Sequence, residues 1–199
     1  MRSVSTVRGK AVPMDRANVD TDQIIPAKHL KRIDRTGYGP FAFEAWRQDP
    51  DFVLNNPAYE GAKIMLTREN FGSGSSREHA VWALDGLGIE AMVGISFADI
   101  FKSNCFQSGV LTVELPRVDI DYLMDLSITT PETELEIDLG EQTVGTVDGV
   151  WAHHFQIDPF RKYRLQRGLD DISMTLELGP DIDEFERQMP DWLPKTNSD

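Results

Sequence analysis

The stretch AKIMLTRENFGSGSSREHAVWALDGLGIEAMVGI, residues 62–95, decides the fold class. Ala62 to Thr67 is a short apolar run bounded by turn residues, which predicts a buried strand. Asn70 to Ser76 is a loop of small residues. Arg77 to Leu87 reads as a helix, with Ala80, Val81, Ala83, Leu84 and Leu87 on its apolar side. Gly86 and Gly88 offer its C-terminal stop. Glu90 to Ile95 is a second buried strand, Phe97 to Phe106 a short helix or turn, and Val110 to Leu115 a third strand. This alternation is the grammar of parallel α/β structure. Right-handed crossovers put the loop 70–76 at the carboxyl end of a strand, the edge where open α/β sheets bind ligands.

Upstream, Val4 to Val12 reads as a strand, residues 13–26 as a polar loop, and residues 29–46 as a long loop broken by Thr36-Gly37-Tyr38-Gly39-Pro40. After residue 130 the pattern becomes antiparallel. Glu134 to Leu139 alternates strictly, and Thr143–Val147 and Val150–Phe155 flank Asp148-Gly149, a hairpin turn. Asp158-Pro159 can cap and start a helix that runs toward Gly168. An amphipathic stretch, Leu169 to Glu177, follows. The expected organisation is one domain over 1–180, its core within about 1–165, with an acidic, mobile tail over 181–199.

With 199 residues the chain suits a single domain with a sizeable core. A formal net charge of −13 excludes a non-specific nucleic-acid binder, which needs a basic surface. It also means that any anionic substrate must meet a local concentration of positive charge. No apolar run approaches a membrane span, and MRSVSTVRGK lacks a signal peptide's apolar stretch, so the expected compartment is the cytoplasm. The single cysteine, Cys105, rules out an internal disulfide and a four-cysteine metal or iron–sulfur site within one chain. The four histidines, His29, His79, His153 and His154, form no HExxH or HxH. No metal site built by this chain alone is expected.

The loop NFGSGSSREHA, Asn70 to Ala80, carries the chemistry. It has no Walker lysine, Arg77 stands where a dinucleotide fingerprint needs its third glycine, and Gly74 stands where an esterase elbow needs serine. Gly72 and Gly74 permit positive φ and close approach of a ligand. Ser73 to Ser76 place successive backbone N–H groups at a helix start, a concave anion site aided by the helix dipole. Ser75 and Glu78 have capping-box spacing, so a plain helix cap is the simpler reading of those two residues. Arg77 can grip a carboxylate with two parallel hydrogen bonds. An anion beside serine hydroxyls suggests acid–base chemistry on a carboxylic acid.

Three blocks carry a family resemblance. GSGSSREHA, Gly72 to Ala80, resembles the signature of the mobile fourth domain of the aconitase superfamily. Asn18 to Ala27 (NVDTDQIIPA) resembles the early motif of the isopropylmalate dehydratase small subunits. Ser96 to Cys105 (SFADIFKSNC), leading into Gly109-Val110-Leu111, resembles a third block of the same family. The order and spacing agree, and the resemblance covers all but the acidic end.

The resemblance implies a three-layer β/β/α swivelling domain, a partly parallel sheet with antiparallel strands. It implies a hydro-lyase subunit that, with a large partner, isomerises 2-isopropylmalate and 3-isopropylmalate through 2-isopropylmaleate in leucine biosynthesis. The partner brings the [4Fe–4S] cluster, this chain binds none, and the pair forms a heterodimer inactive as separate chains. Ser75 then maps onto the catalytic base and Arg77 onto the group that binds a carboxylate and favours the serine alkoxide. Ser76, Gly74 and, on a looser alignment, Arg16 map onto substrate binding. In the loop 29–46, Leu30, Phe41 and Phe43 can meet an isopropyl group, while Lys31 and Arg32 can meet a carboxylate. Asp20, Thr21, Asp22, Gln23, Gly72 and Asn104 are candidates to brace the site, and His79 reads as a packing residue beside it. A homoaconitase-type small subunit is the nearest rival, and a stand-alone anion-binding module is the rival from another class.

Overall fold

The computed structural model describes residues 1–31, 34–177 and 179–189. The chain divides into two units, Met1–Gly168 and Leu169–Asp199. The first contains one seven-stranded sheet in the order β4-β3-β2-β1-β5-β6-β7. Its strands are β1 (Thr6–Met14), β2 (Ile64–Thr67), β3 (Ala91–Gly94), β4 (Leu111–Glu114), β5 (Glu134–Asp138), β6 (Thr143–Thr146) and β7 (Ala152–His154). β1 to β4 run parallel, in register Ala11 with Ile64, Ile64 with Ala91, and Ala91 with Leu111. β5, β6 and β7 add antiparallel on the other side of β1. The mixed α/β class expected from the sequence is the one the chain adopts.

The central parallel strands β2 and β3 are buried on both faces, which is why they read as continuous apolar runs. Side chains alternate between two cores. Met65 and Met92 face one, with Ala80, Val81, Ala83 and Leu84 of α2 (Glu78–Gly86) and Phe101 and Cys105 of α3 (Asp99–Ser108). Ile64, Leu66, Ala91, Val93, Leu111 and Val113 face the other. There they meet Ile120, Leu123 and Met124 of α4 (Arg117–Thr129), Leu135 and Ile137 of β5, and Leu165 of α5 (Pro159–Arg167). The antiparallel strands thus close over the second core, while α2 and α3 cover the first.

Three differences from the sequence reading have clear causes. α4 has no counterpart in that reading, although Ile120, Leu123, Met124 and Ser127 recur at helical spacing and all are buried. It starts directly after Pro116 and packs on β1 and β2. Next, the loop 29–46 holds short 3-10 turns at Gly39–Phe41 and Trp46–Gln48, and buries Tyr38, Ala42 and Phe43 completely. It fits tightly because Gly39 meets Gly86 backbone to backbone, where a Cβ on Gly39 would lie 2.2 Å from the Gly86 carbonyl oxygen. Finally, β7 is shorter than its apolar run, because the Asp148-Gly149 turn consumes Val150 and Trp151. The Asp148 carboxylate accepts from the Val150 N–H, and the Thr146 N–H donates to the Trp151 carbonyl.

The second unit holds α6 (Asp171–Glu177) and α7 (Gly179–Gln188). The segment expected as a mobile tail from residue 181 is therefore helical as far as Gln188, and residues 190–199 lie outside the described residues. No described helix is long and apolar enough to cross a membrane.

Candidate active site

Two loops leave the carboxyl ends of neighbouring parallel strands and are stitched together. From β1 comes α1 (Thr21–Ile24), one turn capped by Asp20. The Asp20 carboxylate accepts from the Gln23 N–H at 2.8 Å, and the Gln23 amide oxygen accepts from the Asp20 N–H at 2.9 Å. This reciprocal pair is a capping box. From β2 comes the loop 70–77. The amides of Gly72 and Ser73 both donate to the Val19 carbonyl, and the Thr21 amide donates to the Ser73 carbonyl. The Thr21 hydroxyl donates to the Ser75 carbonyl at 2.8 Å.

Glycine is required at position 72. Its φ is +79°, and a Cβ there would lie 2.1 Å from the Phe101 ring. The loop can therefore press onto α3 only without a side chain. Gly74, at φ +86°, has room beside Asp20 and Thr21 but needs the same left-handed backbone.

The chain enters α2 through Arg77, an N-cap residue with extended backbone and no side-chain cap. The capping box expected between Ser75 and Glu78 does not form, because the helix starts at Glu78 and Arg77, not Ser75, occupies the N-cap. That leaves the hydroxyls of Ser75 and Ser76 exposed and without a protein partner among the described residues. The backbone amides of Gly74, Ser75, Ser76 and Arg77 likewise meet no protein acceptor among the described residues. Arg77 is the local cation. Its guanidinium pairs with the Asp22 carboxylate, and its side chain is only 14% exposed while that of Asp22 is 54% exposed. Asp22 thus reaches in from the solvent side and fixes the fork of Arg77 beside the serines.

These groups line an open cleft of about 250 Å³. Thr21, Gly72, Gly74, Ser75, Ser76 and Arg77 form one wall. Ala98, Asp99, Ile100 and Phe101, at the start of α3, form the other. Ile100 is 55% exposed, an apolar side chain displayed on the wall that faces the serines and Arg77. The arrangement offers free N–H donors at a helix N-terminus, one fixed guanidinium, two free hydroxyls and an apolar wall. That set can hold a carboxylate, place a hydroxyl beside the carbon next to it, and contact an alkyl substituent.

The remaining candidates fall elsewhere. Gln23 is exposed and serves the α1 cap. His79 is the second residue of α2, edge-on to Tyr38 at 5.3 Å and tilted on Trp82 at 4.7 Å. Burial lowers its pKa, Glu78 opposes that and Arg77 adds to it. Arg16 lies over the Trp46 ring at 4.3 Å. Leu30 is partly buried against the first core, and Lys31 is exposed. Arg32 lies outside the described residues. Phe43 is wholly buried and stacks on Trp46, so core packing takes the ring that sequence reading offered to a substrate. Phe41 stacks on His29, whose Nε2 lies 2.7 Å from Glu44. Asn104 is buried on α3, its side-chain nitrogen without a hydrogen-bond partner.

Sequence reading missed Asp99 and Ile100 as wall residues, although the available signal was their position. They open a helix that follows a parallel strand, at the same sheet edge as Ser75.

Comparison with known proteins places the chain in a family. Residues 1–118 match the aconitase C-terminal domain family. The 3-isopropylmalate dehydratase small subunit of Rubrobacter xylanophilus is 50% identical over 98% of this chain and 99% of its own length. That of Acidothermus cellulolyticus is 46% identical over the full length of both chains. A crystal structure of 3-isopropylmalate dehydratase from Methanocaldococcus jannaschii superimposes with a TM-score of 0.67 at 22% identity, over 90% of this chain and 99% of that one, which supports the fold.

Proposed function

Because the chain belongs to the family of 3-isopropylmalate dehydratase small subunits, we propose that its cleft supplies the base and the carboxylate clamp for dehydration of an isopropylmalate. The observation that carries this reading is the pair of free hydroxyls, Ser75 and Ser76, among unpartnered amides and beside the Asp22-fixed guanidinium of Arg77. The reaction removes a proton from carbon beside a carboxylate and expels hydroxide from the neighbouring carbon. It gives the alkene diacid 2-isopropylmaleate, and readdition of water completes the isomerisation used in leucine biosynthesis.

A serine hydroxyl is far too weak an acid to act as a base at neutral pH unless its anion is stabilised. Arg77, the amides of Gly74 to Arg77 and the N-terminal end of α2 supply that stabilisation, and it grows when a closing partner excludes water. Ser75 receives the proton. Arg77 and Ser76 hold the adjacent carboxylate. Asp22 positions the Arg77 fork, and Thr21 fixes the Ser75 backbone. Ala98 and Ile100 stand opposite and meet the branched alkyl group.

This chain does not fit a [4Fe–4S] cluster. Its one cysteine, Cys105, is fully buried with its thiol pKa pushed well up, and the described residues contain no group of three or more potential metal-ligating side chains. In this enzyme family the cluster belongs to the large subunit, where it would supply Lewis-acid chemistry toward the leaving hydroxide. The active site is completed where the two subunits meet.

An anaerobic assay tests the reading. This chain is mixed with a cluster-loaded large subunit and 3-isopropylmalate, and alkene absorbance is followed. Activity is expected only with both chains present. Turnover of homoaconitate alone would keep the chemistry and change the substrate. No turnover by a demonstrated, cluster-loaded complex would overturn the enzymatic reading in favour of anion binding.

A further inference from the structure

A second cleft lies toward the opposite edge of the sheet, where the segment 54–62 meets the residues that precede β2 and β3. It holds about 370 Å³ and shares no lining residue with the first. Val12, Leu54, Tyr59, Leu87 and Ile89 give it apolar walls, and Arg47 is its cation. Arg47 Nε donates to the Ala42 carbonyl at 3.0 Å. Among the described residues its two Nη groups have no hydrogen-bond partner and no carboxylate pairs with it.

The environment is costly for a cation. Burial lowers the Arg47 pKa, and no neighbouring acid counters that effect. An arginine does not escape by losing its proton, so a partly desolvated guanidinium without a counter-ion favours an anion beside it. Asn56 lines the same cleft, and its oxygen already accepts from the Ala58 N–H, which leaves its amide nitrogen free to donate. Glu60 also lines the cleft and disfavours a dianion. The apolar walls favour a ligand with a compact hydrocarbon body.

We propose that this second cleft binds a small monocarboxylate with a compact apolar body, its carboxylate seated on Arg47. The site is distinct from the Ser75 cleft, which leaves the carboxyl end of β2, whereas Gly61 and Ala62 line this one before β2 begins. The two are nonetheless joined through the backbone. Arg47 N–H donates to the Phe43 carbonyl, and Phe43 N–H donates to the carbonyl of Ile24 at the end of α1.

The test is calorimetric titration of the full chain with isovalerate and with its uncharged counterpart isovaleramide. Wild type binds isovalerate saturably and isovaleramide much more weakly. Arg47→Gln weakens isovalerate by about 10- to 100-fold, the range of a lost charge-assisted hydrogen bond. Asn56→Asp keeps the local cap, adds a carboxylate to the same cleft, and also weakens binding; it serves as the independent variant should Arg47→Gln fold poorly. Arg77→Gln keeps the Arg47-dependent isovalerate site, and any binding it removes is a separate component that Arg47→Gln does not affect. The proposal is overturned by absence of saturable binding, by equal affinity for the amide, by full affinity in Asn56→Asp or in a folded Arg47→Gln, or by loss of all binding in Arg77→Gln.

Discussion

At the scale of single residues, the Ser75–Arg77 loop works because three constraints coincide. Positive φ at Gly72 and Gly74 turns the chain, the Thr21 hydroxyl holds the Ser75 carbonyl, and Asp22 holds Arg77. Gly72→Ala should therefore destabilise the chain by about 1–3 kcal/mol or more, through both the strained backbone and the Phe101 overlap, as read from a denaturant midpoint. Ile100→Ala should raise KM for the isopropyl substrate more than for an analogue carrying methyl in its place, a difference of roughly 10-fold for lost contact with a branched alkyl group. An equal change for both would assign Ile100 to another role, such as subunit contact. His79 gives a pH signature. Its folded pKa lies below the unfolded value, so the unfolded chain takes up the proton first as pH falls. Its contribution is present above the unfolded pKa and is lost as pH drops through and below that value. His79→Phe should accordingly flatten the acid side of the stability profile between about pH 7 and 5 relative to wild type. Much of this was legible, since the GSGSSREHA string is local. The Asp22–Arg77 pair was not, because residues 55 positions apart meet only after β1 and β2 align.

At the scale of elements, the same sheet edge receives α1, the Ser75 loop and the start of α3. The strands were readable because burial on both faces makes short, unbroken apolar runs. The caps were harder. Capping-box spacing occurs at Asp20–Gln23 and at Ser75–Glu78, and only the first forms. Spacing does not reveal that tertiary hydrogen bonds pull the second loop away from its helix, and this is what frees the serine hydroxyls. Asp20→Ala should cost about 1 kcal/mol of stability as a lost cap and also weaken activity, since α1 carries Asp22. Asn56→Ala, an equally local cap on a 3-10 turn, should leave activity nearly unchanged. α4 escapes sequence reading because its aspartates and β-branched residues weaken helix propensity, while its buried Ile120, Leu123 and Met124 hold it by tertiary packing. Leu123→Ala should thus destabilise by about 2–5 kcal/mol, seen in the same denaturation experiment.

At the scale of the whole molecule, an acidic chain presents a small donor-rich cleft to an anionic substrate. The net charge of −13 repels an anion at long range, so in the proposed mechanism the loop amides and Arg77 supply the attraction at short range. On the proposed reading this chain holds half of the chemistry, a base and a clamp, and a large subunit brings the Lewis acid. A single cysteine makes that division legible from the amino-acid sequence alone. Which residues form the apolar wall was not legible, because the wall comes from the sheet-edge position of α3 and because core packing claims Phe43.

The most direct test is a comparison of Ser75→Ala with wild type in the assembled, cluster-loaded enzyme, measuring kcat from alkene absorbance and substrate affinity separately. If Ser75 takes the proton while Arg77 and the loop amides hold the carboxylate, kcat falls by about 10²- to 10⁴-fold with affinity changed only slightly. A Ser75→Ala enzyme that keeps wild-type kcat, or one that loses affinity while turning over normally, would contradict the assignment of Ser75 as the base.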